Sequence, residues 1–323
     1  MSQKNSSRLS RRAVLASAVG IPFLASCQTG RPFYGEDDGI SALQALEASA
    51  GGRLGVSATN LQTGRSISWR GDERFAMCST FKWLLGAFYA QRMRDNWSIE
   101  DEAQKERWDR FIPYTQADIV SYSPVSEPQL VNGGMTLEGL CEATIMTSDN
   151  TAANVLLKDI GGPEALTTFI RETGDLVTRL DRFEPELNIF VPGDERDTTT
   201  PNAMSGLMAH LLFGETGAFN ATRRVHDWMI KANTGLKRLR AGISDDYLVG
   251  DKTGTNSDSH SNDVGFVYTH PVFKGMVGPV VISSYYNTDD PFNPASDEVH
   301  AEVGRIAMKA LVGPLFDEQP WKA

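Results

Sequence analysis

The sequence predicts an α/β protein in which a sheet domain built from both ends of the chain surrounds an inserted all-helical domain. Three observations lead there. Strand-like runs occur early, at Leu54–Asn60 and Ile67–Trp69. From Ser79 to about Leu212 the text changes to helical segments broken by loops. Strand patterns then return at Tyr247–Lys252, Val264–Tyr268 and Val277–Tyr286. Ends that pair in one sheet bring residues at the two crossings into a shared cleft, and Ser79 and Lys252 lie at or near those crossings.

Each element has its own signal. Ile40, Leu43, Leu46 and Ala50 recur at helical spacing, and Gly51-Gly52 ends that first amphipathic helix. Thr63-Gly64 supplies the turn of a hairpin between the first two strands. Helical patterning covers Leu137–Ile160, Pro163–Glu172 and Pro201–Leu212, then a segment near Ala221–Ala232, and a closing helix from Ser296 to Leu311. Residues 37–76 and 221–323 are therefore expected to form the discontinuous sheet domain, with 77–220 as the inserted all-α domain.

At 323 residues and 41% hydrophobic composition the chain can bury a sizeable core. Its formal net charge of -10 argues against nucleic acid, because phosphate binding needs a basic patch that releases counterions. An anionic small molecule needs only a local cationic site. No repeat, low-complexity run or charged tail interrupts the body.

The amino terminus reads differently. Lys4, Arg8, Arg11 and Arg12 precede an uncharged apolar stretch from Ala13 to Ala25, the pattern of an export signal. The stretch is well short of the ~20 residues that span a bilayer. Ser10-Arg11-Arg12 followed by Val14-Leu15 resembles a twin-arginine signal, and a general secretory signal holding two arginines is the alternative. Leu24-Ala25-Ser26-Cys27 resembles a bacterial lipobox, which would make Cys27 a lipidation site and membrane anchor; the alternative is a small-residue cleavage site with an incidental cysteine. Residues 1–27 then form the signal and 28–36 a tether, and the expected location is the periplasm or cell envelope.

Cys78 and Cys141 could form one disulfide or stay as thiols. His210, His226, His260, His270 and His300 are scattered and no paired-cysteine spacing occurs, so neither a metal nor another cofactor is expected.

Chemistry concentrates in Ser79-Thr80-Phe81-Lys82 at the start of a helical run. A serine and a lysine three residues apart share a helix face, which lets hydroxyl and amine exchange a proton. Unpaired N–H groups at the helix start favour charge developing on a nearby oxygen. Ser148-Asp149-Asn150 and Lys252-Thr253-Gly254 follow in the order and at the intervals of one family. With them the chain resembles a class A serine β-lactamase, whose signature is this trio. Arg182-Phe183-Glu184-Pro185-Glu186-Leu187-Asn188 resembles that family's Ω-loop, here about 179–197, and the likeness runs from about Gly39 to the carboxyl terminus.

The resemblance implies a predominantly antiparallel sheet flanked by helices, a fold shared with penicillin-binding proteins, and a monomer. It implies hydrolysis of penicillins and some cephalosporins through an acyl-enzyme on Ser79. Lys82 or Glu184 would take the serine proton. Ser148 would relay a proton to the leaving nitrogen, and Lys252 would supply positive charge beside it. Glu184 and Asn188 would hold the hydrolytic water. Asn150, Thr253, Gly254 and Thr255 would bind substrate, with the N–H groups of Ser79 and Thr255 holding the oxyanion, and Tyr122 would wall the cleft. Asp149 is expected to brace a loop, Arg196 to be a solvated charge, and Arg182 with Asp197 to close the Ω-loop.

The chain also departs from the family pattern. Ser257 to Asp263 lacks the arginine that many members use for the substrate carboxylate; Arg240 resembles the substitute of other members, with Arg238 the neighbouring candidate. Cys78 has no partner thiol at Asn256 or Ser257, so it is expected to be a small buried side chain. Two rivals are a penicillin-binding peptidase and a non-catalytic sensor acylated by antibiotic. Both should lack a competent deacylating glutamate.

Overall fold

Pairing between distant parts of the chain builds the sheet that positions the site. The structure, a computed structural model, describes residues 35–93, 102–214, 222–257, 259–269, 278–288 and 296–313. Strands β1 (Arg53–Asn60), β2 (Ser66–Trp69), β7 (Tyr247–Thr255), β8 (His260–Thr269) and β9 (Val280–Asn287) form one sheet in the order β2-β1-β9-β8-β7, while β3 (Phe75–Ala76) pairs with β6 (Thr198–Thr199) and β4 (Phe111–Pro113) with β5 (Gly134–Thr136). All neighbours are antiparallel, with Val56 opposite Ser284, Val264 opposite Ser283, and Lys252 opposite Val264. Strand β7 is an edge.

Alternation along the strands divides two cores. Val280, Ile282 and Tyr286 join Leu43, Leu54, Val303 and Ile306 under helices α1 (Glu36–Ala50) and α9 (Ser296–Leu311). Val281 and Tyr285, one residue out of step, face the other way with Val264 and Phe266. Side chains two apart share a face, so a single strand serves both layers. On that second side the sheet shares a core with α2 (Lys82–Arg92), α3 (Glu102–Trp108), α4 (Leu137–Met146), α5 (Asn150–Ile160), α6 (Pro163–Glu172), α7 (Pro201–Phe213) and α8 (Arg223–Lys231), through Leu84, Trp108, Leu140, Leu156, Ile170, Leu207 and Met229.

Two local departures from the sequence reading matter for the cleft. The expected helical run from Leu137 to Ile160 is two helices, because Ser148 adopts φ 62° and Asp149 caps α5 by accepting from Ala152 N at 2.8 Å. Ser79 lies in a 3₁₀ turn, Cys78–Phe81, and α2 begins only at Lys82. In a three-residue turn, side chains i and i+3 eclipse, which stacks Ser79 beside Lys82.

The hairpin turn at Gly64 has φ 72°, and Asn60 Oδ1 accepts from Gln62 N and Thr63 N. Cys78 and Cys141 are both buried thiols. No described helix is long and apolar enough to cross a membrane. The expected signal, tether and Cys27 lie outside the described residues.

Candidate active site

Three segments meet at Lys82, whose side chain is completely buried. Its Nζ donates to Ser148 O at 2.7 Å, to Asn150 Oδ1 at 2.5 Å and to Ser148 Oγ at 3.3 Å. It also lies 3.1 Å from Glu184 Oε1. Burial pushes the ammonium below the usual lysine range, against the attraction of Glu184. Ser79 Oγ donates to the same Glu184 Oε1 at 3.2 Å.

The Ser-Asp-Asn run is held from beneath. Asp149, fully buried, accepts from Val125 N, Ser126 N and Ser126 Oγ at 2.9, 2.9 and 2.6 Å as well as capping α5. Asn150 N donates to Tyr122 O at 3.0 Å and Asn150 Nδ2 to Ser121 O at 2.9 Å. This zipper presents Tyr122, exposed and at φ 62°, at the cleft rim.

Glu184 is gripped at both ends. Asn154, one turn along α5 from Asn150, accepts from Glu184 N at 2.9 Å and donates to Glu184 O at 2.7 Å. Asn188 Nδ2 donates to Glu184 Oε2 at 2.5 Å. The loop is closed by Asp197, which takes Arg182 Nε at 2.5 Å and the backbone N–H groups of Asp181 and Arg182 at 2.8 and 3.0 Å. Arg196 pairs with Asp194 on the surface.

The opposite wall is β7. Gly254 lets it approach the nucleophile turn, since a Cβ there would lie 2.7 Å from Met77 O. Asn256 N donates to His260 O across the hairpin, so the preceding Thr255 N–H points away from β8. Lys252 is fully buried and donates to Thr253 O at 2.9 Å. Desolvation first, then the charge of Lys82, push it down to about 7.

The cleft between these walls has a volume of about 330 Å³. Ser79, Tyr122, Ser148, Asn150, Glu184, Asn188, Thr253, Gly254 and Thr255 line it, as do Thr234 and Arg238. Thr234, unnoticed in the sequence, accepts from Thr253 Oγ1 at 2.8 Å.

The expectation for Arg240 is corrected. It points into the protein, donating to Asp251 Oδ1 at 2.6 Å and to Ile230 O and Met229 O at 2.9 and 2.7 Å. Arg238 instead faces the cleft and donates to Thr255 Oγ1, Gly254 O and Asn262 O at 2.8, 3.1 and 2.7 Å. A 3₁₀ turn, Leu239–Gly242, separates the two directions, and buried Asp251 claims Arg240. Desolvation pushes both Asp251 and its neighbour Asp263 above the usual carboxylate range.

Among the described residues, no cluster of three histidine, cysteine, aspartate or glutamate side chains suits a metal. A sequence model of the beta-lactamase enzyme family matches residues 40–311. The chain belongs to that family. Beta-lactamase L2 of Stenotrophomonas maltophilia is 39% identical over 303 residues, covering 93% of this chain and 96% of its own. Beta-lactamase FAR-1 of Nocardia farcinica is 41% identical over 268 residues, 83% of this chain and 81% of its own. Among solved structures, an ancestral class A β-lactamase is 47% identical at TM-score 0.74, covering 84% of this chain and 99% of its own. A β-lactamase from Desulfarculus baarsii superposes at TM-score 0.76 with 36% identity, covering 88% and 98%. The class A neighbours share the antiparallel sheet flanked by helices expected from the sequence.

Arg240→Ala should leave Asp251 buried beside Asp263 without its guanidinium. The expected loss is about 3–5 kcal/mol, the usual effect of removing one partner of a buried ion pair. Denaturant unfolding of the variant checks it; a loss within experimental error would show that Asp251 is neutral in the fold.

Proposed function

We propose that this class A β-lactamase opens the four-membered amide ring of β-lactam antibiotics through an acyl-enzyme on Ser79, and that water activated by Glu184 hydrolyses it. Such turnover makes it an antibiotic-resistance hydrolase. The observation that carries the reading is the double contact at Glu184 Oε1, with Ser79 Oγ at 3.2 Å and Lys82 Nζ at 3.1 Å.

The serine proton leaves along its existing hydrogen bond to Glu184, while Lys82 stabilises the charge moving there. Ser79 Oγ then adds to the ring carbonyl carbon. The N–H groups of Ser79 and Thr255 hold the oxyanion, a kind of contact whose loss elsewhere costs ~10²–10³ in rate. As the carbon–nitrogen bond breaks, Ser148 Oγ gives its proton to the nitrogen and is resupplied by Lys82, 3.3 Å away, which in turn takes the serine's proton from Glu184 at 3.1 Å and leaves it a carboxylate again. Arg238 and Lys252 attract the substrate carboxylate, with Thr255 as hydroxyl donor and the Thr253 hydroxyl turning from Thr234 to join it. Tyr122 and Asn150 flank the side chain, and Asn150 binds its amide.

In the second half, Glu184 takes a proton from water and the oxygen attacks the ester carbon. Ser79 Oγ leaves and recovers a proton. Asn188 Oδ1 is buried without a protein donor, which supports its accepting the second hydrogen of that water. One chain carries the whole site, in keeping with a monomer.

The export pattern at residues 1–27 supports a periplasmic or cell-envelope location, with a lipid anchor on Cys27. Cys27→Ser should move the protein from membrane to soluble fractions. Unchanged fractionation would remove the anchor from the proposal.

Glu184→Gln should acylate and stall, giving a mass increase equal to the penicillin, while wild type turns over. A wild type that also stays acylated would favour a penicillin-binding peptidase or sensor. Ser79→Ala should show no adduct.

The Lys252 ammonium is present below its value of about 7 and lost above it. For a carboxylated penicillin, kcat/KM should therefore fall as pH rises through the neutral range, and Lys252→Arg should flatten that alkaline limb. An unaltered limb in the arginine variant would assign it to another group.

A further inference from the structure

We infer that Asn256, the first residue beyond β7, is a positioning residue for deacylation, holding the water-activating pair Glu184–Asn188 from the sheet side. The inference rests on the Glu184 reading above. Its side chain faces two ways: Oδ1 accepts from His260 N at 3.0 Å, and Nδ2 donates to the backbone oxygen of Asn188 at 2.9 Å. Asn188 in turn reaches Glu184 Oε2 at 2.5 Å. One side chain therefore ties the β7–β8 hairpin to the residue that orients the hydrolytic base.

The hairpin is a rigid place from which to hold a loop. Its ladder runs without a break from Tyr247 opposite Thr269 to Thr255 opposite Ser261, and β8 pairs on its other edge with β9. The same contact is reinforced two residues further along the Ω-loop, where the Phe190 ring packs on His260 with centroids 4.5 Å apart. From within the loop, Arg182 Nη2 holds Ile189 O at 2.9 Å. The backbone at 188–190 is thus fixed from the sheet by Asn256 and His260, and from the loop interior by Arg182.

The two halves of the reaction depend on this tie differently. Acylation uses Glu184 Oε1, which Lys82 holds directly, and a backbone that Asn154 clamps from α5. None of those contacts passes through Asn256. Deacylation also needs Oε2 and the Asn188 amide at one attack angle, and that amide hangs from the carbonyl that Asn256 holds. Misplacing a reacting group by ~1 Å can cost ~10² in rate, so a slack Asn188 falls mainly on the water step.

Two variants separate the parts. Asn256→Asp keeps the acceptor for His260 N but sets an acceptor against Asn188 O, and Asn256→Ala removes both contacts. Quenched-flow mass spectrometry with a penicillin gives acylation and deacylation rates separately, and thermal unfolding reports the fold. Deacylation should slow by about tenfold or more in both variants, acylation should change by less than about threefold, and acyl-enzyme should become the major steady-state species. Unchanged deacylation in both would overturn the inference, as would acylation and deacylation falling in equal proportion. Glu184→Gln run alongside distinguishes the two claims. If it stalls while the Asn256 variants turn over normally, only the tie is wrong; if it deacylates like wild type, the reading of Glu184 itself fails.

Discussion

The buried ammonium of Lys82 is the constraint around which the site is built. An ion taken out of water costs several kcal/mol even after relaxation, and only close, well-directed acceptors offset that. Here they come from Ser148, Asn150 and Glu184, so the start of α2, the junction of α4 and α5, and the Ω-loop must converge on one nitrogen. The supporting contacts extend the same requirement outward. Asp149 braces the loop that carries Tyr122, Asn154 grips the Glu184 backbone, and Asp197 closes the Ω-loop behind it.

A second cation shapes the opposite wall. Lys252 is buried close enough to Lys82 for the two charges to repel, and it is held beside Asp251 and Asp263. Arg238, paired with Asp297 at 2.8 Å, lines the same cleft, so cationic side chains gather there although the chain as a whole carries a net charge of -10. In the proposed mechanism, attraction of a substrate carboxylate is therefore a local property, carried by the edge strand and the turn that precedes it.

Much of this was legible in the sequence, and what was not has identifiable causes. Ser79, Lys82, Ser148, Glu184 and Lys252 stood out because each belongs to a short run with characteristic spacing, and the structure brings all five together around the cleft. The sheet shared by both ends of the chain followed from the strand patterns there, and its antiparallel order from the family resemblance. Arg238 and Arg240 could not be told apart, because two arginines two positions apart are separated only by the direction of a 3₁₀ turn and by a buried carboxylate elsewhere. Asn154 did leave a trace, one helical turn after Asn150, but spacing cannot say that its partner is a loop thirty residues on. Thr234 and Asn256 act through partners supplied by other segments, and nothing in their own neighbourhoods marks them.

Six non-glycine residues among those described have positive φ, and Cys78, Tyr122, Ser148 and Asp197 are four of them. For an L-residue the left-handed region costs roughly 1–2 kcal/mol, which glycine avoids. Stability and activity thus pull against each other at Ser148, where glycine would relax the chain and discard the hydroxyl, whereas at Asp197 the side chain's own hydrogen bonds outweigh the strain and hold the Ω-loop closed. A library selected only for heat resistance would drift toward glycine at Ser148 and lose turnover, whereas one selected for turnover would retain the strained serine.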